Sequence, residues 1–219
     1  MASFFNLTLD MTAPSGLAIL LNGGALYTTS STIELGTTVS DANTTGYQMK
    51  IWGVDGVATE SAAAWVSFAG TKNIVLAAGD GLKTVYVKVR DDVGNETSAV
   101  SASITLDTAV PIVTVTGPDR SRISKVAGFD TSNIGFMSDV DFAEYKVCVV
   151  PNTSSLHDAG VIIPTTGGSE NTSGTGEFEA DTAISVSIRG ADLDTASSGD
   201  GVKIVKVFVK TAAGVWSVA

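Results

Sequence analysis

Few side chains in this 219-residue sequence are spaced to do chemistry. The densest set of hard oxygen ligands is Asp91, Asp92 and Asn95 in one turn, with Asp80 opening the same hairpin. Ca²⁺ takes about six to eight oxygen ligands, so such a turn could hold it. Against a metal, a second copy of the hairpin carries Thr211, Ala212 and Val215 at the matching places. Asp and Asn also form turns through their own side-chain hydrogen bonds. The expectation is a turn without metal, with Ca²⁺ as its alternative. Cys148 is the sole cysteine and alternates with Val, which predicts a small core residue rather than a nucleophile. His157 is the sole histidine and falls in a polar turn, so neither a His-based zinc site nor a Ser-His-Asp triad has support. Gly79-Asp80-Gly81 precedes a strand pattern and lacks the helix that a phosphate loop uses. Glu144, Glu177 and Glu179 read as surface groups. No catalytic residue and no cofactor are expected.

These residues hang on one stretch that occurs twice. Gly79-Asp80-Gly81-Leu82-Lys83-Thr84-Val85-Tyr86-Val87-Lys88-Val89-Arg90 leads to a turn closed by Gly94. Gly199-Asp200-Gly201-Val202-Lys203-Ile204-Val205-Lys206-Val207-Phe208-Val209-Lys210 leads to one closed by Gly214. Turn, strand of period two and second turn make a β-hairpin arm. Successive side chains alternate across a strand, so Val85, Val87 and Val89 share a face, as do Val205, Val207 and Val209. Two copies predict two similar β domains.

Length agrees, since each half has roughly a hundred residues, enough for a core without disulfides. A net charge of −10 disfavours nucleic acid, whose phosphates would be repelled. No run approaches the ~18 apolar residues of a membrane span. The start, Met1-Ala2-Ser3-Phe4-Phe5-Asn6, has no basic region and no long apolar run, which predicts synthesis in the cytoplasm without a signal peptide.

In the first half, short alternating segments with turns every eight to twelve residues fit a Greek-key β-sandwich over 10–107. A helical turn is expected within Val57–Ala64. The second half, 108–219, repeats the pattern less clearly. Thr165–Gly176 reads as a long surface loop, and Ala191–Ser197 as one helical turn. Arg120, Arg122 and Lys125 form the densest basic patch, a candidate contact surface. Leu7-Thr8-Leu9-Asp10-Met11-Thr12-Ala13-Pro14 resembles Ile104-Thr105-Leu106-Asp107-Thr108-Ala109-Val110-Pro111. The latter is the expected last strand of domain one, running into a short stiff Pro linker. Residues 1–9 therefore read as an N-terminal extension. Phe4, Phe5, Leu7 and Leu9 look like a last strand without its own sandwich, suited to pairing with an exposed sheet edge. Domain two shows no counterpart of that last strand after Lys210, and takes the strand from elsewhere or goes without.

Asp10–Pro14, Ile19-Leu20-Leu21-Asn22-Gly23-Gly24-Ala25-Leu26-Tyr27-Thr28 and Gly79–Asp91 with Gly94-Asn95 resemble the bacterial immunoglobulin-like repeats. Those repeats occur in tandem in bacterial surface proteins and in tailed-bacteriophage virions. The resemblance covers most of 10–107; in the second half it holds at Asp107–Pro111 and Gly199–Trp216. It implies an all-β fold of two tandem immunoglobulin-like Greek-key sandwiches and a non-enzymatic structural or adhesive role. The expectation is a virion component in multiple copies, contacting other virion proteins and host-surface glycans. The alternatives are a fragment of a bacterial adhesin, or a carbohydrate-binding module stacking sugars on Trp52, Trp65 or Trp216.

Overall fold

In the computed structural model, the structure describes residues 6–41, 46–151 and 156–218. The chain divides into two compact units, 1–108 and 109–219. Among the described residues no helix is long and apolar enough to cross a membrane.

Unit 1 comprises β1 (Ser15–Leu21), β2 (Tyr27–Thr28), β3 (Thr32–Ser40), β4 (Tyr47–Trp52), β5 (Val66–Ser67), β6 (Thr71–Val75), β7 (Gly81–Asp91) and β8 (Val100–Leu106). One sheet runs β1-β3-β6 and the other β2-β8-β7-β4-β5. All neighbours are antiparallel except β2 with β8. This order, with β1 in one sheet and β2 crossing to the other, is the immunoglobulin-like Greek key. Period-two alternation builds the core: Val85, Val87 and Val89 face inward onto Ile33, Leu35, Met49 and Ile104. The helical turn expected within Val57–Ala64 is a single 3₁₀ turn at Glu60–Ala62.

Unit 2 comprises β9 (Val113–Thr116), β10 (Thr131–Ser138), β11 (Phe142–Val150), β12 (Val161–Ile162), β13 (Ser173–Phe178), β14 (Ile184–Arg189), a short helix α1 (Gly190–Ala196) and β15 (Ile204–Lys210). One sheet runs β9-β10-β14; in the other, β11 pairs with β15 and, along its opposite edge, with β12 and β13. Phe136, Tyr145, Val147, Ile188, Val207 and Val209 pack between the sheets. The protein is thus all-β, with a sandwich in each unit.

Two expectations need correction. Asn6–Leu9 form no strand, and the first strand among the described residues begins at Ser15. Alternation alone cannot hold a strand that has no ladder partner. Phe4 and Phe5 lie outside the described residues. Thr165–Gly176 is not a surface loop throughout. Its end joins β13 beside β11, and Ser169 and Thr172 are buried. Edge pairing needs backbone groups rather than apolar side chains, and Gly174 lets the strand cross Tyr145. A Cβ there would lie 2.5 Å from the Tyr145 ring.

Candidate functional site

The turn after β7 positions the first candidate group. Asp91 ends the strand and is buried. Its Oδ1 accepts hydrogen bonds from the Val93 N–H (3.0 Å) and the Asn95 N–H (2.8 Å), and its Oδ2 from Asn95 Nδ2 (2.8 Å). Burial pushes the Asp91 carboxyl up. Hydrogen bonds from the Asn95 side chain and from the backbone of Asn95, Val93 and Gly94 outweigh it and hold the group below the usual carboxylate range.

The second copy keeps this frame with other side chains. The Thr211 N–H donates to the Val215 carbonyl (2.9 Å), as the Asp91 N–H does to Asn95 (3.2 Å). Thr211 Oγ1 accepts from the Val215 N–H (3.3 Å) where Asp91 accepts from Asn95. The buried hydroxyls of Thr97 and Ser217 accept from the Val89 and Val209 N–H groups, both at 3.1 Å. At the other turn, Lys83 Nζ donates to the Ala78 carbonyl (3.2 Å) and Lys203 Nζ to the Ser198 carbonyl (3.1 Å).

Asp10 and Asp41 meet Asp91, with one carboxylate oxygen of each within 4.8 Å of the others. Asn95 Nδ2 reaches the Asp10 carbonyl at 3.4 Å. The Thr12 N–H occupies Asp10 Oδ1 (3.0 Å), while Asp10 Oδ2 is buried without a hydrogen-bond partner. Three carboxylates this close repel one another, and an all-oxygen set is the donor chemistry of a hard cation such as Ca²⁺. Asp10, Asp41 and Asp91 are the residues that could hold one. A cation there would tie the segment before β1 to the end of β3 and the β7 turn.

That set differs from the expected one. Of Asp80, Asp91, Asp92 and Asn95, only Asp91 and Asn95 come together in the cluster. Asp80 stands at the far end of β7, about 33 Å away at the rise of an extended strand, and accepts a hydrogen bond from Thr108 Oγ1 (2.9 Å). Asp92 is exposed beside the turn, and the cluster does not include it. Asp10 and Asp41 escape sequence reasoning because the fold, not local spacing, brings them to Asp91.

The other candidates are built into the frame. Cys148 is buried with Val150 and Phe208 in a small cluster that Trp216 covers, and burial pushes its thiol up. Its alternation predicted burial but not this separate cluster outside the main core. His157 stacks on Trp216 (centroids 4.5 Å apart). Lys146 Nζ lies 4.5 Å from the Trp216 ring centre. Trp52 stacks on Tyr86 (5.5 Å), and Trp65 has the Arg90 guanidinium 4.4 Å over its ring. In the basic loop, Arg120 donates to the Gly128 carbonyl (2.8 Å) and Lys125 pairs with Asp194, while Arg122 is exposed. Glu144 pairs with Lys210 (3.1 Å). Leu7 and Leu9 are exposed.

Sequence reasoning missed Asp192. It lies in the first turn of α1 and is buried. Its Oδ1 accepts from the Gly167 N–H (2.6 Å) and its Oδ2 from the Ser169 N–H (2.8 Å). Thr165–Gly176 reads as a surface loop, and nothing in its spacing names the acid, over twenty residues on, that anchors it.

No sequence-family model matches the chain, and no curated protein matches it. Among solved structures, it is similar to the fibronectin(III)-like modules of Clostridium thermocellum CbhA, with 11% identity over 91% of this chain and 89% of that one and a TM-score of 0.45. It is also similar to the D00-D0 domain of Intimin, with 15% identity over 92% and 96% and a TM-score of 0.36. A third similarity is to carbohydrate-binding modules from the β-sandwich superfamily, with 11% identity over 95% and 99% and a TM-score of 0.38.

Proposed function

We propose that the chain is a non-enzymatic structural protein of a tailed-phage virion, a capsid decoration, head fibre or tail ornament, whose immunoglobulin-like domains contact other virion proteins. The observation that carries a structural role is the doubling of the frame without its chemistry. Both units keep the hairpin, the lysine clamp and the buried hydroxyl. The side chains that could bind or react are not repeated: Asp91 and Asn95 face Thr211 and Val215 in the copy. A module that serves through length and surface duplicates in this way. The virion assignment rests on the likeness of 10–107 to repeats found in such particles. Protein partners are favoured over sugars, because each tryptophan ring already has an aromatic or cationic partner.

Mass spectrometry of density-purified particles from the source lysate tests this proposal. Peptides of the chain that co-purify with intact particles at a fixed ratio to the major coat protein support it. Peptides confined to the envelope of uninfected cells assign the chain to a surface adhesin instead.

A further inference from the structure

We infer that the open side of the first sandwich, between β4 and β6, is a docking groove for an extended segment of a partner protein. That segment carries an apolar side chain and a carboxylate at alternate positions. The inference names a surface for protein contacts and does not depend on the virion reading.

The second sandwich closes the same side with its own chain. In the repeat, Val207 stands where Val87 stands. Val207 pairs with Val147 and Val87 with Ile51, so Val147 and Ile51 hold equivalent places. The Val147 N–H donates to the Thr172 carbonyl (2.7 Å), and the Val147 carbonyl accepts from the Ile163 N–H (3.0 Å). Ile163 is fully buried in the core. The run 163–172 also covers the outer edge of β14. Glu170 and Ser187 exchange two hydrogen bonds (2.8 and 3.1 Å), Asn171 Nδ2 donates to the Ser185 carbonyl (2.9 Å), and Ser169 Oγ accepts from the Arg189 N–H (2.8 Å).

In unit 1 the connection from β5 to β6 is residues 68–70, too short to cover that side. The Gly70 carbonyl accepts from Thr37 in β3, and the Leu76 N–H donates to Ser31 just before it. By alternation, Thr71 and Asn73 turn their backbone groups to the other edge of β6. The Tyr47 carbonyl accepts from the Phe68 N–H, so Ile51 faces the same side of β4, beyond the short ladder with β5. Among the described residues, these backbone groups of Ile51, Thr71 and Asn73 have no hydrogen-bond partner. Between the two edges lies a groove of about 420 Å³, walled by Ile51, Val54, Val57, Val66, Ile74 and Val75. Val66 is 40% and Val75 45% exposed.

Charge selects the occupant. Lys72 lines the groove on the same strand face as Ile74, and makes no ion pair among the described residues. A lysine on the inward face of an edge strand keeps that edge from pairing indiscriminately. Two copies pairing β6 with β6 around Asn73 would set their Lys72 side chains diagonally, about 7–8 Å apart on one face, as like charges. A segment with a carboxylate opposite Lys72 gains the ladder without that conflict, so the lysine admits an acidic partner and rejects a second copy. Asp55 lines the other end, where its N–H closes the edge on the Val75 carbonyl (2.8 Å), so the acid of the segment belongs at the Lys72 end. Its apolar side chain takes the place beside Ile51 that Ile163 takes beside Val147. Its backbone pairs with Thr71 and Asn73, the mode of strand addition.

Selection of random linear peptides on the immobilised full chain tests the groove. Peptides with Asp or Glu and an apolar residue at alternate positions are expected to be enriched. With such a peptide bound, the amides of Ile51, Thr71 and Asn73 gain protection from hydrogen exchange, while those of Lys72 and Ile74, which face β3, do not change. N73P removes an N–H that points away from β3, so it blocks the outer edge and spares the ladder. It should abolish binding, and its retained circular dichroism confirms folding. K72E changes only an exposed residue and should weaken binding about tenfold. A peptide with Lys in place of its acid should bind K72E more tightly than wild type, a readout that stands even where N73P does not fold. Four results would each overturn the inference: no enrichment of any peptide, equal binding to wild type and K72E, protection gained at amides other than those of this side, or self-association of the wild type that K72E abolishes, which would make a second copy the occupant.

Discussion

Replacing Asp192 with Ala should be among the most damaging single changes in unit 2, although Asp192 lies outside the hydrophobic core. The carboxylate is 1% exposed and is the acceptor for the Gly167 and Ser169 N–H groups. The Ser169 N–H is buried, and stripping it of its acceptor costs about 1–3 kcal/mol; Gly167 is exposed, so water serves its N–H in part. The two together give about 2–3 kcal/mol, most of it from Ser169. For a unit of this size the loss corresponds to a fall in Tm of roughly 10–20 °C. Asp192→Asn keeps one carbonyl oxygen but turns an amide N–H₂ towards the second donor, so it should recover less than half of the loss. The pH dependence follows from the carboxyl itself. Burial pushes it up, but hydrogen bonds from the Ser169 backbone and side chain, from the Gly167 backbone and from Thr166 hold it below the usual range. A carboxyl with a lowered folded pKa contributes stability above its unfolded value, near 4, and loses it as pH falls through the folded value. The gap between wild type and Asp192→Ala should therefore be full at neutral pH and narrow in acid. Urea unfolding followed by calorimetry and fluorescence measures it. A gap under about 0.5 kcal/mol at neutral pH, or one that does not change with pH, would refute the reasoning.

Three further changes test other parts of the frame. Excess Ca²⁺ should raise the Tm of unit 1, by the equivalent of about 2.7 kcal/mol at a hundred times Kd, and Asp10→Asn or Asp41→Asn should abolish the shift; identical melting in Ca²⁺ and in chelator would show that the cluster binds none. Gly174→Ala places a Cβ against Tyr145 and should destabilise by about 1–3 kcal/mol, read by denaturant midpoint; an unchanged midpoint would mean that the strand has room to shift. Cys148 should stay unreactive to a thiol reagent until unfolding, and Cys148→Ser should cost about 1–3 kcal/mol by burying a hydroxyl among Val150, Phe208 and Trp216. Labelling of the native protein at the rate of a free thiol would contradict that burial.

Much of the frame was legible in the residues because it rests on local rules. Val85, Val87 and Val89 alternate between two Gly-bearing turns, and a strand with one buried face is the structure that pattern stabilises. The repeat at Gly199 carried the same inference to Val207 and Val209. What escaped was set by the fold. Asp10 and Asp41 reach Asp91 only once the ends of three segments meet, and no spacing in the chain records that. Ser173–Phe178 was missed for the opposite reason. An edge strand needs only backbone groups, so a Gly-rich, Thr-rich sequence without apolar alternation can supply one. Leu7 and Leu9 show the converse, apolar alternation without a ladder partner in the described structure.

The account depends on two hairpins of the same design, each built into a sandwich of its own. Residue-resolved amide hydrogen exchange of β7 and β15 at high dilution tests this directly. Amides along β7 should all be strongly protected. Along β15, the amides facing β11 should be protected, and so should that of Val209, which donates to the buried Ser217 hydroxyl as Val89 does to Thr97. Exchange of the Val209 amide at close to its intrinsic rate, with that of Val89 protected, would contradict the account, because the two hairpins would then differ in design.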